Sequence, residues 1–359
     1  MTGGCRRRRH TPLTDDAVDE ILLRLPPDDP ACQFRASAVC RTWRCIVTDP
    51  GFSGRYRAFH RTPPLLGVLR NPADSKLAGF VPATSFRPTL DPKGYMDVSD
   101  CRHGRVLLNL TGSADYAVWN PITGDQHRLP EIPETPEFLP NSAAVLCAAV
   151  GRCDHSCCAG GPFRVAVVGH GDDDRAAHAC LYSSVTGSWS APTSIQTHGF
   201  VDSTLPVALV GDAVYFPFEL GRDILRYDTV GLGRLSFIEP PPSRLYGRGA
   251  PVILTDGGGI LGFASFDDKD YRLHLGLGKT CIDGYVEWAA PHRVIDLKSV
   301  LPRGVDRMVP VLICVADGAY AVLANDDDDV FIIELESLTA RKLVLVADSC
   351  HHPWGVGAE

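Results

Sequence analysis

No stretch of this sequence is apolar for long enough to cross a membrane as a helix. The longest uninterrupted apolar run, Ala143–Val150, falls far short of the ~20 residues a span needs. The opening residues, MTGGCRRRRH, lack the apolar stretch that a secretory signal places after its charges. Neither G-x-S-x-G nor H-E-x-x-H occurs, so two common hydrolase signatures are missing. The thirteen cysteines have no regular spacing. With no signal segment they read as reduced thiols in the cytoplasm or nucleus. A basic body is missing too. Residues 1–61 carry eleven arginines, no lysine and seven acidic residues, a net +4, so the remaining 298 residues carry −12 of the total −8. An acidic body argues against nucleic acid as a partner, because phosphate contacts need a basic face.

What is present divides into two regions of different period. The chain has 359 residues with 34 Gly and 28 Pro, which predicts one large or two unequal domains with frequent turns and many short strands. Over residues 13–59 the period is helical. Val18, Ile21, Leu22 and Leu25 share one helix face, behind Thr14, Asp15 and Asp16 as a cap and acidic first turn. Pro26-Pro27 ends that helix, and Asp29-Pro30 opens another. Val39, Trp43, Ile46 and Val47 form an apolar stripe, with Arg41 and Arg44 mostly off it, so the arginines read as a solvated edge rather than a phosphate clamp. Phe52, Tyr56 and Phe59 predict a last short helix before Pro63-Pro64. About 45 residues of short helices bury little of their own surface, so the stripe needs a partner, either another protein or the rest of the chain.

After Pro63 apolar runs are short and separated by Gly, Asp, Asn and Pro. A unit recurs: a strand, a turn, then a second strand that ends in Asn, Asp or Ser before a Thr-Gly-like turn. RVLLNL leads to YAVWNPITGDQHRLP, FRVAVVG to ACLYSSVTGSWSAP, and GDAVYFPF to DILRYDTVGLGRLSFIEPP. Val106, Val165, Val214, Leu261 and Tyr320 are equivalent, at spacings of 59, 49, 47 and 59. Repeats of this size with four strands each predict propeller blades. Five are legible, and residues 65–100 predict a sixth. Trp119, Trp189 and Tyr227 are expected in comparable outer strands.

The segment LTDDAVDEILLRLPPDDPACQFRASAVCRTWRCIVTDPGF resembles an F-box. Downstream, YRAFHRTPPLLG, VWNPITG, LYSSVTGSWS and RVIDLKSVLP resemble the F-box-associated β-propeller domain of a large plant F-box family. The resemblance implies a basic disordered tail over 1–12, an all-α F-box of about three helices over 13–60, an all-β propeller of about six blades over 61–350, and a tail over 351–359. It implies docking on a Skp-family adaptor through Leu13, Val18, Ile21, Leu22, Leu25, Pro26, Val39, Cys40, Trp43 and Ile46. Through that adaptor it implies cullin and RING subunits, a protein substrate held by the propeller, and no catalytic residue or cofactor. Thr14, Ala17, Gln33 and Ala38 depart from the family pattern. The alternative is a scaffold protein whose degenerate F-box caps the propeller.

Several other motifs tempt. GLGKT at Gly276–Thr280 resembles a phosphate loop, but Leu273 stands where its first glycine belongs and the flanks read as strands. Cys153, His155, Cys157 and Cys158 are of the type that zinc prefers, yet they lie in one Gly-rich connection without a second spaced pair, so no metal is expected. The acidic runs Asp172–Asp174 and Asp326–Asp329 read as solvated hairpin tips, since neither has the spaced ligands of a calcium loop. Arg6–Arg9 reads as a solvated tail.

Overall fold

The computed structural model describes residues 13–343 except 62–63, 72–78, 89–95, 111–114, 134–137, 149–157, 172–174, 220–222, 232, 246–250, 257–258, 282–284, 303–310, 317–318 and 325–328. The two predicted tails, the Arg6–Arg9 run, the Cys153–Cys157 cluster and most of both acidic runs lie outside the described residues.

The N-terminal unit has four helices rather than about three. Helix α1 (Asp15–Leu23) starts at Thr14, whose side chain accepts from the Ala17 N–H at 3.3 Å. Helix α2 (Pro30–Ser37) starts at Asp29, which accepts from the Ala31 N–H at 3.1 Å. Helices α3 (Arg41–Thr48) and α4 (Pro50–His60) are separated by one residue, Asp49. Proline disfavours helical geometry in the residue before it. Asp49 is accordingly extended at ψ 126°, and its carboxylate accepts from the Phe52 N–H at 3.0 Å to start α4. Val18, Leu22 and Leu23 of α1, Ala36 of α2 and Phe52 of α4 form the buried centre, with Trp43, Ile46 and Val47 of α3 at its margin.

Among the described residues the rest is a β-propeller of five blades, each an antiparallel meander. A two-stranded ribbon, β1 (Gly67–Arg70) with β2 (Gly79–Pro82), precedes them. The first blade is β3 (Met96–Arg102), β4 (Arg105–Leu110), β5 (Tyr116–Trp119) and β6 (Gln126–Arg128). The second is β7 (Leu139–Cys147), β8 (Phe163–His170) and β9 (Ala176–Ser183), with its outer edge shared by β10 (Ser188–Trp189) and β11 (Thr193–Gln196). The third is β12 (Ala208–Val210), β13 (Ala213–Pro217), β14 (Ile224–Asp228) and β15 (Arg234–Ile238). In the fourth, β16 (Val252–Thr255), β17 (Leu261–Asp267) and β18 (Arg272–Thr280) are edged by β19 (Val286–Trp288) and β20 (Arg293–Asp296). The fifth is β21 (Val311–Ala316), β22 (Tyr320–Ala324), β23 (Val330–Glu334) and β24 (Thr339–Leu343).

Side chains alternate between the two faces of a strand, and here both faces are buried. Along β13, Val214 and Phe216 pack on the second blade, while Ala213 and Tyr215 pack on the fourth. Along β17, Leu261 and Phe263 face the third blade and Ala264 and Phe266 the fifth. That is why these strands read in the sequence as unbroken apolar runs. The five residues taken as equivalent all fall in second strands. Trp119 and Tyr227 share a third-strand place, but Trp189 is one strand further out; Tyr182, which like them precedes a turn, is their counterpart.

The ring closes through the ribbon. Val68 and Val81 pack against Val322, Val330 and Ile332 of the fifth blade, and Leu69 against Val106, Leu108 and Trp119 of the first. Among the described residues, the two strands of the ribbon stand at the sixth place where a four-stranded blade was expected. Pro82 ends β2, and Pro88 and Pro92 follow it. Proline removes a ladder donor, so this stretch is poor material for further strands. The chain bends instead at Thr84, whose hydroxyl accepts from the Phe86 N–H at 3.1 Å.

Candidate functional site

The helical unit divides the sequence-derived docking set. Val18 and Leu22 are buried in its own centre, and Leu25, Trp43 and Ile46 sit half-buried at that centre's margin. Leu13, Ile21, Pro26, Val39 and Cys40 are exposed. Val39 precedes α3 rather than belonging to it, so it is not part of the Trp43 stripe. The stripe packs neither on the propeller nor into solvent: Trp43, Ile46 and Val47 face α1 and α4. Phe34 was missed by the sequence reading and is the most exposed apolar side chain of the unit, at 71%. A signal for it existed. Cys32 and Ala36 lie one turn apart on the inward face of α2, which turns the residue midway between them to the opposite side.

Several charges of this unit are internal fastenings. Arg24 pairs with Glu20, Arg55 with Asp19 at 2.6 Å, and Arg35 with Asp29 at 2.8 Å. Arg44 donates to the Ser37 carbonyl at the end of α2 at 3.3 Å. The Asp29 carboxyl also accepts from the Cys32 thiol at 3.1 Å. That bond first, and Arg35 after it, hold Asp29 below the usual carboxylate range. Of the departures from the family pattern, Thr14 caps α1 and Ala38 is exposed. Gln33 is half-buried.

In the propeller the conspicuous polar groups are fastenings as well. Asp100, buried on β3, accepts from the Val145 N–H of β7 at 3.0 Å and from Arg102 at 2.9 Å. Arg102 also reaches the Val207 carbonyl, just before β12. Burial pushes the Asp100 carboxyl up, and Arg102 pulls it back in part. Arg164 donates to the Thr229 carbonyl at 3.2 Å across the second and third blades, and Thr255 exchanges hydrogen bonds with Leu209 across the third and fourth. Two outer tryptophans repeat one device: Trp189 Nε1–H donates to the Pro130 carbonyl and Trp288 Nε1–H to the Glu239 carbonyl, both at 2.9 Å.

GLGKT lies within β18, paired on both sides. A Cβ on Gly276 would come within 2.2 Å of the Phe263 ring, and one on Gly278 within 2.8 Å of Trp288. These glycines make room for aromatic rings, not for a phosphate. Among the described residues no group of three His, Cys, Asp or Glu side chains is placed to hold a metal ion. No described helix is long and apolar enough to cross a membrane.

Comparison with known proteins decides the N-terminal unit. The F-box domain family matches residues 12–53. Those residues are an F-box domain. No curated protein matches the chain. Solved structures share its outline at low similarity. A chain of the mitotic checkpoint complex is 12% identical, with 79% of this chain and 85% of that one covered and a TM-score of 0.40. Hydrazine synthase of Kuenenia stuttgartiensis is 12% identical over 67% and 63%, at 0.37. A Lactobacillus plantarum protein is 11% identical over 78% and 80%, at 0.40. The propeller assignment rests on the sheet topology rather than on these likenesses.

Proposed function

We propose that this protein is the substrate receptor of a Skp–cullin–F-box ubiquitin ligase, of the kind found in the plant family with an F-box-associated propeller. The F-box docks a Skp-family adaptor, and through it cullin and RING subunits. The propeller holds a protein substrate. The observation that carries this reading is an F-box over residues 12–53 that keeps Leu13, Ile21, Phe34 and Val39 exposed while its own core is complete. F-box domains typically bind such adaptors. Isolated exposed apolar residues are ordinary, but this many on one small domain favours an interaction surface.

The receptor carries out no bond chemistry in this reading. It supplies proximity: tethering turns ubiquitin transfer into an effectively intramolecular event, with a local substrate concentration set by the geometry of the assembly. The cap alternative draws less support, because the apolar core of the F-box holds no propeller residue among those described. The test is co-purification of a Skp-family adaptor with the full chain. Wild type should retain it and Ile21→Asp should lose it. Failure of wild type to retain adaptor would refute the proposal.

A further inference from the structure

Among the described residues the sixth place in the ring holds the two strands of the ribbon, where the blades supply four or five. Beside it opens a cleft of about 620 Å³. One wall is the stretch that follows β2, with Phe86 and Arg87; a second is the outer turn of the first blade, with Ile122; the third is α2 of the F-box, with Phe34 and Arg35. Phe34 is 71% exposed and Ile122 50%. Phe86 is half-buried and held edge-on by Phe80 at 5.9 Å. Arg87 donates to the Thr84 and Phe86 carbonyls at 2.8 Å, and Arg35 is fixed by Asp29. The lining is therefore mixed: Phe34, Phe86 and Ile122 are apolar, while Asp29, Arg35, Ser85, Arg87 and Thr123 are polar, and the two arginines outnumber the one carboxylate on a chain whose net charge is −8.

We propose that the adaptor held by the F-box also seats on the propeller in this cleft, with an apolar helix side chain between Phe34 and Ile122 and acidic neighbours toward Arg35 and Arg87. The inference rests on the adaptor reading above. Continuity argues for this occupant: α2 belongs to the matched F-box, so a body that covers Phe34 within the cleft also meets Ile122. The consequence is mechanical. Only residues 61–66 separate α4 from β1, and a partner that bridges both walls would fix the propeller's orientation. A bound substrate would then be held at one distance from the transfer machinery.

The test is calorimetric titration of a purified Skp-family adaptor into the full chain. The variants are Ile122→Asp, Ile122→Ala, Ile21→Asp and Val230→Asp. Val230 is an exposed turn tip of the third blade, away from the cleft, and serves as the control. The Ile122 amide, not its side chain, makes the turn's hydrogen bond to Asn120 at 2.9 Å, so both variants should fold. Ile122→Asp should weaken binding about tenfold or more, with Ile122→Ala in between, as expected for an apolar anchor at an interface. Val230→Asp should bind like wild type. If Ile122→Asp binds like wild type while Ile21→Asp does not bind, the cleft is no part of the interface and the F-box reading survives. If Val230→Asp weakens binding as much as Ile122→Asp, the effect is general charge and the proposal fails. If wild type itself does not bind, the underlying adaptor reading fails.

Discussion

In the propeller, Val106, Val165, Val214 and Leu261 lie fully buried between neighbouring sheets, and nearly every apolar residue of the second strands does the same. In the N-terminal helical unit, Val18, Leu22, Leu23, Ala36 and Phe52 are buried, Leu25, Trp43, Ile46, Val47 and Tyr56 are half-buried, and Leu13, Ile21, Phe34, Val39 and Phe59 are exposed. Size explains much of the contrast, since a small helical unit has too little interior to cover its own apolar surface. Each blade, in contrast, is covered on both faces by the next. The apolar residues of the propeller's inner strands are thus committed to one another, and its exposed ones, such as Ile122, Val185 and Val230, lie at turns. The five exposed ones in the helical unit remain open to a partner, and a substitution there tests recognition rather than folding.

The contrast breaks first at its strongest points. Phe331→Ala removes a ring buried between the fourth and fifth blades, and should cost about 3–5 kcal/mol of propeller stability in denaturant unfolding. The F-box helices should keep their own transition, and simultaneous loss of both would show that the two units fold as one. Leu22→Ala should cost about 2–5 kcal/mol, but in the F-box. Helical circular dichroism should fall and adaptor capture with it, while the propeller's transition stays in place. Trp288→Phe keeps an aromatic ring but removes the donor to Glu239 together with part of the indole, a loss of at least about 1 kcal/mol in the same unfolding assay. Thiol labelling at pH 8 gives the smallest and most local reading. Burial pushes the Cys180 thiol up to about 12 and Cys314 to about 11. A raised pKa leaves less reactive thiolate at pH 8, so both should stay unlabelled in the folded protein. Cys40 and Cys45, exposed on the F-box, should label readily.

The propeller was legible because its signals are local and repeated. A strand ending in Asn120, Ser183 or Asp228 and a turn through Gly124, Gly187 or Gly231 mark the same place in three blades. The sixth blade misled because PLLGVLR and LAGFVP are good strands and do form the ribbon, but among the described residues no further strand joins them. The α1 and α2 starts were legible as caps at Thr14 and Asp29, while the α4 cap at Asp49 was not read from the sequence. The docking face was only partly so. Ile21 and Leu22 are adjacent and equally apolar, yet they differ by a rotation of about 100° on the helix, and that rotation places Leu22 in the core and Ile21 in solvent. Trp43 drew attention as a large aromatic beside arginines, but its neighbours in space, Val18 and Phe52 among them, come from elements the α3 stripe alone does not identify.

The most direct test of this division is Ile21→Asp, measured for adaptor affinity and for helix stability in the same sample. The exposed position should leave the F-box transition within about 0.5 kcal/mol of wild type, while affinity falls at least about tenfold. Unchanged affinity would contradict the account, because it would mean that the apolar residues left open on the F-box are not where the adaptor binds.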